Sequence, residues 1–484
     1  MGREFSLPEA SRGHNSAITE EEIMAKSFDK NRLDGNWRVS SMPIPTRITG
    51  TDEVPPLPQT EKQRVTEKAI LEIAELHSGR LGMDRREFLK TACGMAAAFM
   101  AMNAVYGPLF SVDPAEAADP EVAAARNKEL AGQFIFDVQT HFVRGRYEWK
   151  GLLQLRKAAQ KWNPKLKGEK LTVEKIQYDT FVREVFQQSD TTLALLSSAP
   201  SDDPDGWFIR NDDIARTRKT FNEKIGSKRL FSHAVITPGQ PGWLEEIDRA
   251  ISEYKPDSWK GYTVGSPSTF SKYPWRLDDE KLLYPAYEKM EKAGILNVCI
   301  HKGLISPELK KQSGSTWQYG KVDDVGKAAK DWPRLNFIIY HSGLERIGEP
   351  SKREIGAFER AGYVSWVSDL ARIPGQYGLS NVYAELGTVF ATTAISNPRY
   401  CSGILGTLIK GLGADHVLWG TDSVWYGSPQ WQIEAFRRIE IPKDLQKKFG
   451  FVPLGPAGGE VKKTVFGQNA ARLYHLDGAM TRKD

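Results

Sequence analysis

The sequence predicts an α/β protein whose main domain, residues 133–484, is a (β/α)8 barrel. Two observations predict this fold class. Short apolar runs recur along this part of the chain, and the stretches between them are long enough for helices. Four of the runs end in a side chain of a type that binds metals, and barrel enzymes carry their chemistry at the carboxyl ends of their strands. An open, doubly wound sheet fits less well, because no glycine-rich phosphate turn follows the first run.

Eight runs are candidate strands, and their apolar character is typical of parallel strands that are buried on both faces. They span residues 134–140, 192–197, 230–236, 259–264, 296–300, 336–340, 382–386 and 417–420. Long gaps follow the first and the sixth run. We therefore expect extra loops within residues 149–188 and around residues 353–376.

Composition limits the classes of function. The chain has 484 residues and 40% hydrophobic content, which is enough for one barrel and a long N-terminal remainder. Its net charge of +5 is small, and no stripe of basic and aromatic residues stands out, so we expect a small-molecule substrate and no nucleic acid. Cys93, Cys299 and Cys401 are too few and too scattered for a disulfide framework or a cysteine-based zinc site. Any metal must be held by His and carboxylate side chains.

Residues 1–132 differ from the barrel and are predicted to form an N-terminal arm. Their Pro-rich stretch, residues 42–58, favours extended backbone with little core. Residues 60–81 carry apolar side chains at helical spacing and end with Gly79 and Gly82, which predicts an amphipathic helix.

Residues 84–118 resemble a twin-arginine export signal. Arg85 and Arg86 stand before a Phe-Leu-Lys sequence, residues 91–107 are free of charge, and small residues around Ala117 resemble a cleavage site. The resemblance implies a periplasmic protein whose Arg85-Arg86 pair contacts the export machinery. The alternative is an ordinary Ala-rich helix in a cytoplasmic protein, because export signals normally begin near the N-terminus.

Six candidate functional residues lie in or directly after strand runs. They are Asp137, Gln139, His141, His301, His341 and Asp422. The three residues in the first run share one face, because side chains alternate along a strand, and all three are expected to face inward. A single buried His is usually structural, and an Asp after a tight turn usually caps a helix. Their shared placement at strand ends favours a metal or catalytic site instead.

These motifs resemble an amidohydrolase-related family of metal-dependent TIM barrels that includes aminocarboxymuconate semialdehyde decarboxylase and the resorcylate decarboxylases. The family opens with Asp-x-His-x-His or Asp-x-Glu-x-His. A His follows strand five, His-x-Gly follows strand six and Gly-Thr-Asp follows strand eight. This chain has Asp137-Val138-Gln139-Thr140-His141, His301, His341-Ser342-Gly343 and Gly420-Thr421-Asp422 at matching intervals. The resemblance covers residues 133–477.

The resemblance implies one divalent metal ion, Zn²⁺ or Mn²⁺, held by Gln139, His141, His301 and Asp422. Gln139 departs from the family pattern, which has His or Glu at this position. An amide oxygen can bind a hard cation, but it is neutral and suits Zn²⁺ less well than an imidazole does. A carbamylated Lys260 bridging two metals is disfavoured, because the binuclear relatives have an intact His-x-His in the first strand.

The implied activity is hydrolysis of a small organic molecule by a metal-activated water. Asp422 would take the proton of the water, and His341 would hydrogen-bond the nucleophile or the developing oxyanion. The alternative is decarboxylation of a small carboxylic acid, for example an aromatic one, which requires a cation for the carboxylate. The candidate cations are Arg144, Arg146, Arg210 and Lys302.

A further alternative is a barrel that has lost catalysis and serves as a binding or assembly subunit. Gln139 and the long arm motivate it, whereas the intact His301, His341 and Asp422 argue against it. A homo-oligomer is expected in either case, with the Trp-rich residues 425–431 exposed and packing across subunits.

Overall fold

A ring of eight parallel strands forms the centre of the structure, a computed structural model that describes residues 42–51, 56–145, 174–266, 269–346 and 348–476. The ring strands are β1 (Phe136–Thr140), β2 (Leu193–Leu196), β3 (Leu230–Val235), β4 (Ser258–Tyr262), β7 (Asn297–His301), β8 (Asn336–Tyr340), β9 (Val382–Glu385) and β10 (Val417–Leu418). An antiparallel hairpin, β5 (Gly265–Ser266) and β6 (Thr269–Phe270), follows β4. The predicted (β/α)8 fold is confirmed, and each of the eight predicted runs overlaps one ring strand.

Backbone hydrogen bonds close the ring between its last and first strands. Val138 N donates to Trp419 O at 3.0 Å, and Asp422 N donates to Gln139 O at 2.9 Å. The residues after β10 therefore run beside β1. This register brings the Gly-Thr-Asp motif next to the predicted ligands of the first strand.

Helices follow the strands and also form the N-terminal region. They are α1 (Glu61–Leu81), α2 (Arg85–Phe88), α3 (Ala92–Tyr106), α4 (Pro114–Ala118), α5 (Pro120–Leu130), α6 (Tyr178–Phe181), α7 (Asn211–Ile225), α8 (Trp243–Arg249), α9 (Tyr284–Lys292), α10 (Pro307–Gln312), α11 (Val325–Asp331), α12 (Lys352–Ala361), α13 (Val367–Tyr377), α14 (Val389–Ser396), α15 (Pro398–Leu412), α16 (Gln430–Arg438), α17 (Lys443–Phe449), α18 (Glu460–Lys463) and α19 (Asn469–Leu473). The insertion predicted around residues 353–376 consists of α12 and α13. Most of the loop predicted within residues 149–188 lies outside the described residues.

The strands are apolar throughout because both of their faces are covered. In β7, Val298 and Ile300 pack with the surrounding helices, whereas Cys299 packs inside the ring with Phe231 and Ile338. The interior of the ring is thus a packed core. Room for ligand chemistry lies at the carboxyl ends of the strands.

The N-terminal segment packs on the barrel as a group of helices. The predicted helix over residues 60–81 is confirmed: Thr60 and Gln63 form a capping box at its start, and Gly82, with φ 65°, ends it. The charge-free segment forms α3, where the buried Phe99 ring lies 4.9 Å from the ring of Phe110. All described residues belong to one compact unit. The helical part of the predicted arm therefore shares a core with the barrel.

A buried network of ion pairs joins α4 and α5 to α16. Glu116 accepts hydrogen bonds from two nitrogens of Arg438, and Arg126 donates to Glu434 at 2.8 Å. Ser111 N also donates to Arg438 O at 2.7 Å. The segment that resembles an export signal is thus part of the folded protein, and a cut in the predicted cleavage region would separate Glu116 from its partner.

The arginine pair itself lies at the surface on α2. Arg85 forms an ion pair with Glu75 at 3.1 Å, and both Arg85 and Arg86 are exposed. Among the described residues, no helix combines the length and the apolar character needed to cross a bilayer. Export through this segment stays a prediction.

We predict that Glu116→Ala lowers the free energy of unfolding by about 3–5 kcal/mol, because it leaves the buried Arg438 guanidinium without its main carboxylate partner. Urea denaturation measures this change. Glu87→Ala is the control, because it removes a surface ion pair with Lys90 and should leave the unfolding free energy nearly unchanged. Equal effects of the two substitutions would contradict a stabilising role for the buried network.

Candidate active site

Four buried side chains converge at the carboxyl end of the barrel. Gln139 extends from β1, and His141, His341 and Asp422 follow β1, β8 and β10. The amide nitrogen of Gln139 lies 2.9 Å from Asp422 Oδ1 and 3.5 Å from Nε2 of each histidine. His141 Nε2 lies 3.1 Å from the same Asp422 oxygen. The structure therefore brings together three of the four predicted metal ligands and the predicted catalytic histidine.

His301, the fourth predicted ligand, lies beside this cluster. Its ring centroid is 4.6 Å from that of His341 and 4.9 Å from that of Tyr262, on which it stacks. Burial, together with the neighbouring His341, lowers the pKa of His301 well below its usual value. The imidazole is therefore neutral at neutral pH and keeps a nitrogen lone pair that can bind a metal.

Asp422 is ionised although it is buried. Its carboxylate accepts hydrogen bonds from the Gln139 amide and the Thr388 hydroxyl. Burial alone would raise the pKa of this carboxyl group, but the hydrogen bond and charge of His141, together with the hydrogen bond from Thr388, outweigh burial and lower it. Asp422 can therefore accept a proton.

The tautomer of His341 is fixed by its contact with a backbone carbonyl. Nδ1 lies 2.9 Å from Gly387 O, and because a carbonyl oxygen only accepts, Nδ1 carries the proton. Nε2 then presents its lone pair to the centre of the cluster. Burial lowers the pKa of His341 to about 4, so this histidine is neutral at neutral pH.

Asp137 faces inward as expected. Its carboxyl group accepts hydrogen bonds from backbone N–H groups and is not part of the cluster. It accepts hydrogen bonds from Thr421 N at 3.0 Å, from Gln139 N at 3.1 Å and from the Thr421 hydroxyl. Burial raises the pKa of Asp137 to about 7. Its carboxyl group ties β1 to the Gly-Thr-Asp motif and so sets the spacing between Gln139 and Asp422.

Sequence reasoning assigned no supporting role to the turn at residues 385–388, named here the β9 turn, although Glu385 at the end of the seventh run could be considered as a second acid. Glu385 accepts a hydrogen bond from His341 N at 3.1 Å, Gly387 O accepts one from the ring of His341, and Thr388 donates to Asp422. Burial raises the pKa of Glu385 to about 8, so its carboxyl group is mainly protonated at neutral pH. The available signal was the Gly-Thr pair directly after the seventh strand run.

The candidate cations for a substrate carboxylate are occupied by protein groups. The buried Lys302 ammonium binds Asp324 at 2.7 Å and a backbone carbonyl. Arg144 donates to Asp205 O at 2.8 Å, and Arg210 pairs with the Asp205 carboxylate at 3.0 Å. Arg146 lies outside the described residues. All three described candidates thus have protein partners, although Nε of Arg144 and Nε of Arg210 are buried without a hydrogen-bond partner among the described residues.

Aromatic rings cover the cluster. Trp425 stacks on His141 with ring centroids 5.9 Å apart, and Phe208 contacts the edges of both rings. Trp425 and Trp431 are buried within the chain, so the expectation that residues 425–431 are exposed is wrong. The loop turns its tryptophans inward because they pack over the site. A homo-oligomer stays a prediction.

A cavity of about 260 Å³ lies beside the stacked pair of Tyr262 and His301. Tyr262 forms one wall, and Ile236, Phe270 and Trp275 contribute further apolar surface. This volume is slightly below the roughly 300–1,000 Å³ of typical ligand sites. Tyr262 is the residue that connects the cavity with the cluster, because it lines the cavity and stacks on His301.

The donor set of the cluster fits a divalent metal ion. Among the described residues, no three His, Cys, Asp or Glu side chains are already arranged around a metal position. Nε2 of His141, Nε2 of His341 and Asp422 Oδ1 nevertheless converge on the Gln139 amide, which has only two hydrogens to donate. The ring of His301 lies directly beside that of His341. The buried Gln139 Oε1 has no hydrogen-bond partner in the described part of the chain. Turning this amide over would point its oxygen at the shared centre and give a mixed nitrogen and oxygen donor set.

Comparison with known families gives the same assignment as the motifs. The amidohydrolase family model matches residues 222–476, which is more than half of the chain and includes His301, His341 and Asp422. The chain belongs to the amidohydrolase family. The family predicted from the sequence is thus confirmed. This amidohydrolase matches no curated protein.

Solved structures similar to this amidohydrolase include two decarboxylases. An uncharacterized TIM-barrel protein from Bordetella bronchiseptica is 14% identical, with a TM-score of 0.47, covering 72% of this chain and 99% of that one. A 5-carboxyvanillate decarboxylase from Sphingomonas paucimobilis is 16% identical, with a TM-score of 0.41, covering 71% and 100%. A dihydroxybenzoic acid decarboxylase from Polaromonas with bound manganese and an inhibitor is 15% identical, with a TM-score of 0.41, covering 72% and 99%.

We predict that Gly387→Ala displaces Gln139, because a Cβ at this position would overlap Gln139 Oε1 and Glu385 Oε1. The free energy of unfolding should fall by about 1–3 kcal/mol, which urea denaturation measures. Gly375→Ala is the matched control, because a Cβ there meets no atom within 4 Å. A crystal structure of Gly387→Ala with Gln139 unmoved would show that the β9 turn does not constrain this side chain.

Proposed function

We propose that this amidohydrolase is a metal-dependent hydrolase that adds water to the carbonyl group of a small aromatic compound. One observation carries the proposal: two proton acceptors, the ionised Asp422 and Nε2 of neutral His341, face the same point. A decarboxylase would instead need a group that holds a proton at neutral pH and delivers it to carbon. Glu385 is such an acid, but its two oxygens already accept hydrogen bonds from the backbone N–H groups of His341 and Gly387. The pKa values of Asp422 and His341 are both lowered, so neither group carries a proton at neutral pH that it could deliver to carbon.

We propose that Gln139, His141, His301 and Asp422 hold one divalent ion, and that Mn²⁺ is preferred over Zn²⁺. When bound, such an ion lowers the pKa of water and polarises a carbonyl oxygen. Two oxygen donors beside two imidazoles suit Mn²⁺, whereas the His that Gln139 replaces would favour Zn²⁺. The choice of ion thus depends on the residue at position 139.

The protein side chains then handle the proton of the attacking water. Asp422 Oδ1 accepts this proton while Oδ2 keeps its hydrogen bond with Thr388. His341 Nε2 orients the water, because its Nδ1 proton stays with Gly387 O. Trp425 and Phe208 cover His141 and reduce access of bulk water. The stacked Tyr262 and the cavity beside it offer flat apolar surface to an aromatic substrate.

Decarboxylation of an aromatic carboxylic acid is the second candidate. The aromatic walls favour it, because they would stack on the ring of such an acid as readily as on the ring of an aryl ester. It is also the activity named for the Sphingomonas and Polaromonas proteins. The engaged Arg144, Arg210 and Lys302 argue against it.

We expect about one Mn²⁺ for each chain of purified protein, measured by plasma mass spectrometry. His141→Ala should lose the metal. Gln139→His should keep a metal but shift its preference from Mn²⁺ to Zn²⁺ by at least about tenfold in a chelator competition, because imidazole is the better zinc ligand. Metal-free protein after reconstitution with both ions would favour the binding or assembly subunit.

We expect the Mn²⁺-loaded protein to hydrolyse members of a panel of aryl esters, anilides and aryl lactones. Asp422→Asn should lower kcat by at least about 100-fold, because it removes the proton acceptor. The same protein is incubated with hydroxybenzoic acids carrying a ¹³C-labelled carboxyl group. Labelled CO₂ from these acids, without ester or amide hydrolysis, would replace the hydrolase by the second candidate.

A further inference from the structure

We infer that Thr388 is a positioning residue that fixes the carboxylate of Asp422 through a hydroxyl relay from Tyr426. The inference rests on the proposed function, because Asp422 acts there as ligand and proton acceptor. The β9 turn would thus orient a ligand of the metal in addition to stabilising the fold.

The relay consists of two hydrogen bonds in a buried environment. Tyr426 Oη donates to Thr388 Oγ1 at 3.0 Å, and Thr388 Oγ1 donates to Asp422 Oδ2. Thr388 has one hydroxyl proton, which it directs to Asp422, so its oxygen accepts the hydrogen bond from Tyr426. All three side chains are buried. Oδ2 is thereby occupied, and Oδ1 faces Gln139 and His141.

The Thr388 side chain does not cap the helix at whose start it lies. Thr388 is the N-cap residue of α14, and a Thr there usually accepts a hydrogen bond from a backbone N–H of the first turn. The Thr388 side chain makes no such capping bond. Its hydroxyl instead points to Asp422.

The backbone at Thr388 is strained to permit this contact. Its φ is 60° and its ψ is −45°, a combination that a β-branched residue rarely adopts. Strain of this kind persists only where surrounding contacts hold it, and it collects at functional sites. The other two turns of the cluster are similar, because His341 and Asp422 have φ values of 59° and 58°.

Neighbouring threonines on α14 show what a purely structural hydroxyl does here. Thr392 donates to Thr388 O at 2.8 Å, and Thr393 donates to Val389 O at 2.6 Å. Both bonds stay within the helix. Thr393 is buried like Thr388 but does not contact the cluster in these bonds, so it provides a matched control.

The test compares Thr388→Val, Thr388→Ser and Thr393→Val in the full-length protein. Val keeps the shape and the branched Cβ of Thr but lacks the hydroxyl, whereas Ser keeps the hydroxyl. The readout is the affinity for Mn²⁺, followed by the electron paramagnetic resonance signal of the free ion. We expect Thr388→Val to weaken Mn²⁺ binding by about 10–100-fold, as the loss of a group that orients a metal ligand does. Thr388→Ser and Thr393→Val should bind Mn²⁺ like the wild type.

Two results would overturn the inference. One is a folded Thr388→Val protein with wild-type affinity for Mn²⁺, and the other is an equal loss in Thr393→Val. If Thr388→Val does not fold, Tyr426→Phe replaces it, because this change removes the first donor of the relay and should also weaken Mn²⁺ binding.

Crystal structures of the metal-free variants separate this inference from the proposed function. A wild-type protein that binds no Mn²⁺ would refute the proposed metal site, yet the position of Asp422 can still be compared. We expect the Asp422 carboxylate to rotate in Thr388→Val and to keep its position in Thr388→Ser. An unmoved carboxylate in Thr388→Val would refute the positioning role whatever the metal result.

Discussion

The hydrogen bonds of the β9 turn are the constraint on which the geometry of the site depends. His341 and Asp422 leave their strands with positive φ values, a conformation that costs about 1–3 kcal/mol at a residue other than glycine. Side chains in such turns keep one direction only when other contacts hold them. Glu385, Gly387 and Thr388 supply these contacts from a single short segment. The β9 turn thus supports both His341, which follows β8, and Asp422, which follows β10. The positions of these two side chains are therefore coupled.

The sequence predicted the barrel and the place of the site, because both depend on local pattern. Apolar runs located all eight ring strands, and the period of two placed Gln139 and His141 on one face. The sequence did not predict that His341 would lie as close to Gln139 as His141 does. It also did not predict that His301 would lie next to His341, beside the cluster. These distances follow from ring closure and from the β9 turn, which are contacts between remote parts of the chain.

The N-terminal segment illustrates the same limit in a different way. Its arginine pair and charge-free run predicted a signal, because those features can be read within a few residues. Its burial depends on Glu116 meeting Arg438, more than three hundred positions later. No local pattern encodes that contact. The hydrophobicity that suggests a signal is therefore equally the hydrophobicity of a packed helix, and only the partner surface distinguishes them.

Gln139 also changes the charge of the site. Burial raises the pKa values of Asp137 and Glu385, whereas that of Asp422 is lowered, so Asp422 is the one of these three carboxyl groups that is fully ionised at neutral pH. A Glu at position 139 would bring a second negative charge beside a divalent ion and leave the centre neutral. The neutral amide instead leaves a divalent ion and one carboxylate with a net positive charge. In a buried site such a charge stabilises an anion strongly, whether a developing oxyanion or a bound carboxylate. Compared with the Glu of the family pattern, Gln139 would therefore strengthen the interaction that both candidate reactions require, and compared with the His it would leave the charge unchanged. In neither case does the substitution argue against an active centre.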